Sequence, residues 1–150
     1  MTFDRVAGRV RAAVYRLTAE TTRVPAAGRV AMEVDLGLDT VRAALRHLED
    51  AHELGLNADR TEVRIANPFS AVETPFPVVT ERGTYRANCA WDALGVSAIL
   101  GTDGWTETTC PGSEAPLAFG VRDGALAGDV DAVVHMVVPL RDAWQDIGFT

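Results

Sequence analysis

The chain has 150 residues, 47% of them hydrophobic, with 21 acidic against 14 basic side chains and only two cysteines, for a formal net charge of -7. That length suits one domain or two small lobes sharing a core, and the apolar fraction excludes wholesale disorder. The acidic balance argues against nucleic-acid or anionic-membrane partners, whose phosphates would be repelled on average; two cysteines are too few for a disulfide framework or a zinc ribbon.

The opening residues Met1-Thr2-Phe3-Asp4-Arg5 carry an early acid, and no unbroken apolar run follows, so the pattern of a signal peptide is missing. No segment approaches the roughly 20 apolar residues of a membrane span. The expectation is a cytoplasmic protein.

In chain order, Val6, Val10, Ala13, Val14 and Leu17 recur at helical spacing and predict a first helix. Residues Thr21 to Gly28, with Pro25 and Gly28, read as a connection. After a turn at Gly37, Asp39 is the expected N-cap of a helix whose buried stripe is Val41, Leu45 and Leu48, ending near Gly55. A short strand is expected from Thr61 to Ala66. Together these describe a small helical, winged-helix-like lobe over residues 1–66.

From residue 67 to 150 the composition turns to short strands and turns. Residues Pro75 to Thr80 and Tyr85 to Ala87 flank Glu81-Arg82-Gly83 as a hairpin. Ala90 to Leu100 has the apolar content of a helix, and three strands are expected at Trp105 to Cys110, Leu117 to Arg122 and Ala132 to Pro139. Arg122-Asp123-Gly124 is a tight-turn signal, and Arg141 to Ile147 a last short helix. The fold class is α+β, with a mixed or antiparallel sheet core around one central helix.

Few residues present chemistry. The helix around Arg42, Arg46 and His47 is offset by Asp39, Glu49, Asp50 and Glu53, whereas a helix that reads a DNA groove should be basic. His47 and His52 are five apart, which does not put two ligands on one helix face. His135 alternates with apolar neighbours and is expected as a hydrogen-bonded core residue of a strand. Gly101-Thr102-Asp103-Gly104 lacks the length and the lysine of a phosphate loop.

The informative stretch is Asn88-Cys89-Ala90-Trp91-Asp92-Ala93-Leu94-Gly95. A cysteine entering a helix meets unpaired N–H groups and the positive dipole end, which favour the thiolate. Asp92, three residues on, can turn its carboxyl toward the same space. Spacing alone still favours a small buried thiol beside a capping carboxylate, since free cysteines are among the most buried residue types.

This octapeptide resembles the signature of the organomercurial (alkylmercury) lyase family. Further segments resemble the same family: Asn67-Pro68-Phe69-Ser70, Pro75-Phe76, Gly83-Thr84-Tyr85-Arg86-Ala87, Thr109-Cys110-Pro111 with Glu114-Ala115-Pro116, Val133-Val134-His135 with Pro139, and Trp144 to Thr150. The helical lobe also fits, because the family carries a winged-helix-like N-terminal part.

The resemblance implies a lyase that needs no organic cofactor and acts on an organometallic small molecule, with a small-molecule thiol as acceptor. In the family a thiolate captures the organomercury cation, a second thiolate joins it, and a carboxyl protonates the departing carbon. Carried over by motif, Cys89 and Asp92 are the catalytic and metal-binding residues, and Cys110 matches a cysteine regarded as structural, a secondary thiol at most. The family's second catalytic cysteine directly follows an Ile-x-Phe-Thr segment, and this chain stops at Thr150. Two expectations follow: either a cysteine lies beyond that point, or this protein works without it. In the second case the alternatives are a repurposed enzyme using Cys89 and Asp92 on another substrate, with a Cys89 of lowered pKa, or a non-catalytic thiol-dependent metal binder. Neither nucleic acid nor membrane is expected as a partner, and the sequence leaves the oligomeric state open.

Overall fold

A computed structural model of the chain describes residues 3–146. It is an α+β structure that divides between Glu73 and Thr74 into two compact units. The sequence-based boundary at 66/67 falls before strand β3, which pairs with β2 of the first unit.

The first unit starts with α1 (Phe3–Thr21), whose buried face of Ala7, Val10, Ala13, Val14 and Leu17 is the stripe expected from spacing. Helix α2 (Ala27–Val34) follows, and Gly28 lies inside it rather than in a connection. The break thus ends at Ala26, and α2 closes with Asp35 in the left-handed conformation, its N–H donating to Ala31 and Met32 carbonyls. Helix α3 (Leu38–Asp50) is capped by Gly37, not by the expected Asp39. Asp39 sits in the first turn, where its charge still meets the positive end of the helix. Three short antiparallel strands complete the unit, in the order β1 (Gly55–Leu56), β2 (Val63–Ala66), β3 (Phe69–Ser70). Val10, Val14, Leu17, Val30, Val41, Leu45 and Leu54 are fully enclosed in the shared core. Each such side chain contributes about 1.5–3 kcal/mol through its removal from water.

The second unit is a five-stranded antiparallel sheet in the order β5-β4-β6-β7-β8, formed by β4 (Pro77–Thr80), β5 (Gly83–Arg86), β6 (Gly104–Thr109), β7 (Pro116–Arg122) and β8 (Ala125–Gly128). Helix α4 (Ala90–Leu100) connects β5 to β6 and packs on β4, β6 and β7. Val78 and Tyr85 face each other across the β4–β5 ladder and are buried, as are Ala93 and Val96 of the helix. Asp123 and Gly124 both have positive φ, 52° and 74°, and Arg122 pairs with Ala125, so the Asp-Gly signal makes a two-residue hairpin turn.

Two expectations change here. Ala132 to Pro139 forms no strand, although its valines alternate. The open edges of the sheet belong to β5 and β8, and this segment pairs with neither. His135 therefore lies exposed outside the sheet and is not a core residue. The chain then enters a 3-10 helix, Leu140–Asp146, as the short closing helix; Ile147 to Thr150 lie outside the described residues. No described helix is long and apolar enough to cross a membrane.

Candidate active site

The site is built where β5 hands the chain to α4. Ala87 is buried, its N–H donates to the Phe76 carbonyl at 3.0 Å, and its own carbonyl accepts from the Thr74 hydroxyl at 2.5 Å. Those two bonds fix the backbone immediately before Asn88 and Cys89. Cys89 is the N-cap residue of α4, with extended backbone (φ -149°, ψ -179°), and its carbonyl accepts the first helical bond, from the Ala93 N–H at 3.0 Å. One turn of helix then brings Asp92 back beside it. Cys89 Sγ and Asp92 Oδ2 are 3.5 Å apart, with the thiol as donor.

Both groups are half-buried, and burial dominates their titration. It pushes the Cys89 thiol up from its ordinary value, and the neighbouring Asp92 charge works the same way. The amides of Asp92 and Trp91 at the helix entrance pull it down but do not prevail. The thiolate-favouring helix start expected from the sequence is present, yet the net direction is upward because the sulfur is desolvated. Asp92 is also raised by burial, against hydrogen bonds from Cys89 and the Asn88 side chain that favour its charged form. A raised carboxyl holds a proton at higher pH than an exposed one, which suits a proton donor.

Asn88 is the neighbour to which sequence reasoning gave no role. It stood inside the octapeptide, and its side chain bonds to Asp92. A short polar side chain directly before a helix-capping cysteine was the only signal for it.

Cys110 is placed elsewhere, half-exposed in the turn between β6 and β7. Its N–H donates to the Ala115 carbonyl and its carbonyl accepts from the Glu114 N–H, both at 2.8 Å. The Ser113 hydroxyl bonded to its sulfur holds this thiol below its ordinary value, helped by the Ser113 and Gly112 amides. Both cysteines are free thiols. Among the described residues no group of three or more His, Cys, Asp or Glu side chains is arranged to hold a metal ion. Cys89 and Asp92 lie together as a pair. His47 lies 3.5 Å from Asp4 and edge-on to Phe3, both on α1.

A desolvated thiol that donates to a carboxyl whose titration burial raises, at the mouth of a helix on an antiparallel sheet, defines a thiol–carboxyl site on an α+β core. The alkylmercury lyase family model matches residues 69–150, which contain this whole site. The match covers more than half of the chain, and the chain belongs to the alkylmercury lyase family. Among solved structures, the mercury-bound form of MerB2 superposes on 81% of this chain with a TM-score of 0.63 at 19% identity, a likeness of fold. The chain spans 60% of the length of that protein. No curated protein sequence matches it.

Proposed function

We propose that the chain cleaves a carbon–mercury bond by thiol capture followed by protonolysis. The observation that carries this reading is the 3.5 Å approach of Cys89 Sγ to Asp92 Oδ2 within the segment that matches the family. Mercury is soft and prefers sulfur to oxygen or nitrogen donors. The organomercury cation bonds to the Cys89 sulfur, and the thiol proton passes along the existing hydrogen bond to the Asp92 carboxylate. Asp92 then gives that proton to the carbon as the carbon–mercury bond breaks. Hydrocarbon leaves, and mercury(II) remains on the Cys89 thiolate with the newly ionised Asp92 beside it.

Protons and charge balance in this sequence: one proton leaves the thiol and the same one arrives on carbon. Upward displacement of both groups supports it, since Cys89 stays protonated until the metal displaces its proton and Asp92 can then hold that proton. A small-molecule thiol supplies further sulfur donors and carries the metal away, so no organic cofactor takes part. The chemistry needs reduced thiols, and two unpaired cysteines support a reducing, cytoplasmic setting. The three helices followed by short antiparallel strands support the winged-helix-like reading of the first unit, in a structural role.

The test is hydrocarbon release from phenylmercury in excess small thiol, read as benzene by gas chromatography. Catalytic benzene release supports the reading. Tight mercury retention with no benzene contradicts it and favours a thiol-dependent metal binder instead.

A further inference from the structure

Asp92 has two side-chain partners at the mouth of α4, and the reaction removes one of them. Its carboxyl accepts from the Cys89 thiol, with Sγ and Oδ2 3.5 Å apart, and from the Asn88 side chain. A carboxylate only accepts hydrogen bonds, so the amide N–H of Asn88 is the donor of the second one. When mercury takes the sulfur, the thiol proton moves to Asp92 and the S–H donor no longer exists. A protonated carboxyl still has an acceptor oxygen for the amide. Of the two bonds, the one from Asn88 is left to hold the carboxyl while it carries the proton.

The backbone presents Asn88 for this task with little freedom. It follows Ala87, whose N–H donates to the Phe76 carbonyl at 3.0 Å and whose carbonyl accepts from the Thr74 hydroxyl at 2.5 Å. The same hydroxyl accepts from the Phe76 N–H at 3.2 Å, which closes the clamp. Cys89 then caps α4, so Asn88 stands one residue before the cap and Asp92 three after it. In a capping box the carboxyl at that inner position reaches back to the backbone N–H of the cap residue. Here it meets the side chains of the cap residue and of the residue before it. Asn88 is half-buried, where a hydrogen bond is less weakened by water. The amide neither gains nor loses a proton, so the proton balance of the reaction is unchanged.

We propose that Asn88 is a positioning residue, whose amide holds the Asp92 carboxyl toward the departing carbon through the step in which the thiol no longer holds it. The inference rests on the carbon–mercury lyase reading above and deepens its proton-delivery step. A residue with this task acts on hydrocarbon release and not on capture.

The experiment is a single-turnover reaction with phenylmercury in the wild type, Asn88→Ala, Asn88→Asp and Asn88→Gln. Peptide mass follows the adduct at Cys89, gas chromatography follows benzene, and circular dichroism confirms that each variant is folded. Asn88→Asp keeps the shape and, once ionised, loses the donor, whereas Asn88→Gln keeps the donor. Asn88→Ala and Asn88→Asp should capture phenylmercury at Cys89 as the wild type does. They should release benzene about tenfold to a hundredfold more slowly, the range for a lost hydrogen bond to a charged group or a misplaced catalytic one. Asn88→Gln should release it within about threefold of the wild-type rate. A folded donor-free variant that releases benzene at the wild-type rate, a loss of capture, or an Asn88→Gln as slow as Asn88→Ala overturns the proposal. If the wild type itself releases no benzene, the lyase reading fails, and positioning is read from the Asp92 side chain alone. NMR couplings between Hα and Hβ of Asp92, in protein carrying mercury(II) on Cys89, then decide it. One rotamer in the wild type that becomes averaged in Asn88→Ala supports the positioning role. The same single rotamer in both, or averaging already in the wild type, overturns it.

Discussion

Cys89 Sγ lies 3.5 Å from Asp92 Oδ2 because the cysteine caps α4 and the aspartate returns to it after one turn. The relation is set by local geometry, so it needs little from the rest of the fold except a fixed entry to the helix. Thr74 and Phe76 supply that through their bonds to Ala87. What the fold adds is desolvation, which raises both groups.

Replacing the sulfur should abolish capture. Cys89→Ser keeps the shape but offers a hard hydroxyl that mercury does not favour. Peptide mass mapping after exposure to one equivalent of phenylmercury should show no mercury on residue 89 in this variant, whatever the free Cys110 thiol retains, while the wild type carries it at Cys89.

The two cysteines should separate by pH. Cys110 is lowered by the Ser113 hydroxyl and Cys89 is raised by burial, so alkylation by iodoacetamide, mapped by peptide mass, should reach Cys110 at lower pH. Asp92→Asn removes a negative neighbour and should shift the Cys89 profile toward lower pH. An unchanged Cys89 profile would show that the carboxylate does not act on the thiol.

Stability should carry the sign of the Asp92 displacement. A carboxyl raised in the folded state contributes stability that is fully present below its unfolded value and is lost as pH rises through the folded one. Asp92→Asn should therefore gain on the wild type as pH increases above the ordinary carboxylate range, and lose that advantage in acid. Urea denaturation at a series of pH values measures it.

Gly104 opens β6 directly beneath α4, and a side chain there would collide with Ser97 Oγ and Val78 Cγ1. Gly104→Ala should cost about 1–3 kcal/mol by overpacking. A thermal melt checks this, and an unchanged midpoint would mean that the helix can lift off the sheet freely.

Much of this framework was legible in the sequence where a local signal and the tertiary structure agree. The stripe from Val10 to Leu17, the helix from Ala90 to Leu100 and the Asp123-Gly124 turn all declare themselves through periodicity or turn chemistry. The valines around His135 did not, because alternation marks strand propensity but not whether the segment is brought to a ladder edge. The start of α3 at Gly37 shows the same limit at shorter range: Asp39 has the right chemistry for a cap, two residues from where the chain turns. At the site, the Cys89–Asp92 spacing was readable and the direction of the thiol's titration was not. Helix position is written in the sequence, whereas burial of the sulfur depends on the tertiary fold.

The central claim is that Asp92 delivers a proton to the carbon of an organomercurial held by Cys89. Single-turnover reaction of the wild type and Asp92→Ala with phenylmercury tests it, with the Cys89 adduct followed by intact mass and benzene by gas chromatography. Asp92→Ala should form the phenylmercury adduct as the wild type does and release benzene about 10²–10⁴-fold more slowly, the usual contribution of a positioned general acid. Benzene released by Asp92→Ala at the wild-type rate would contradict the account.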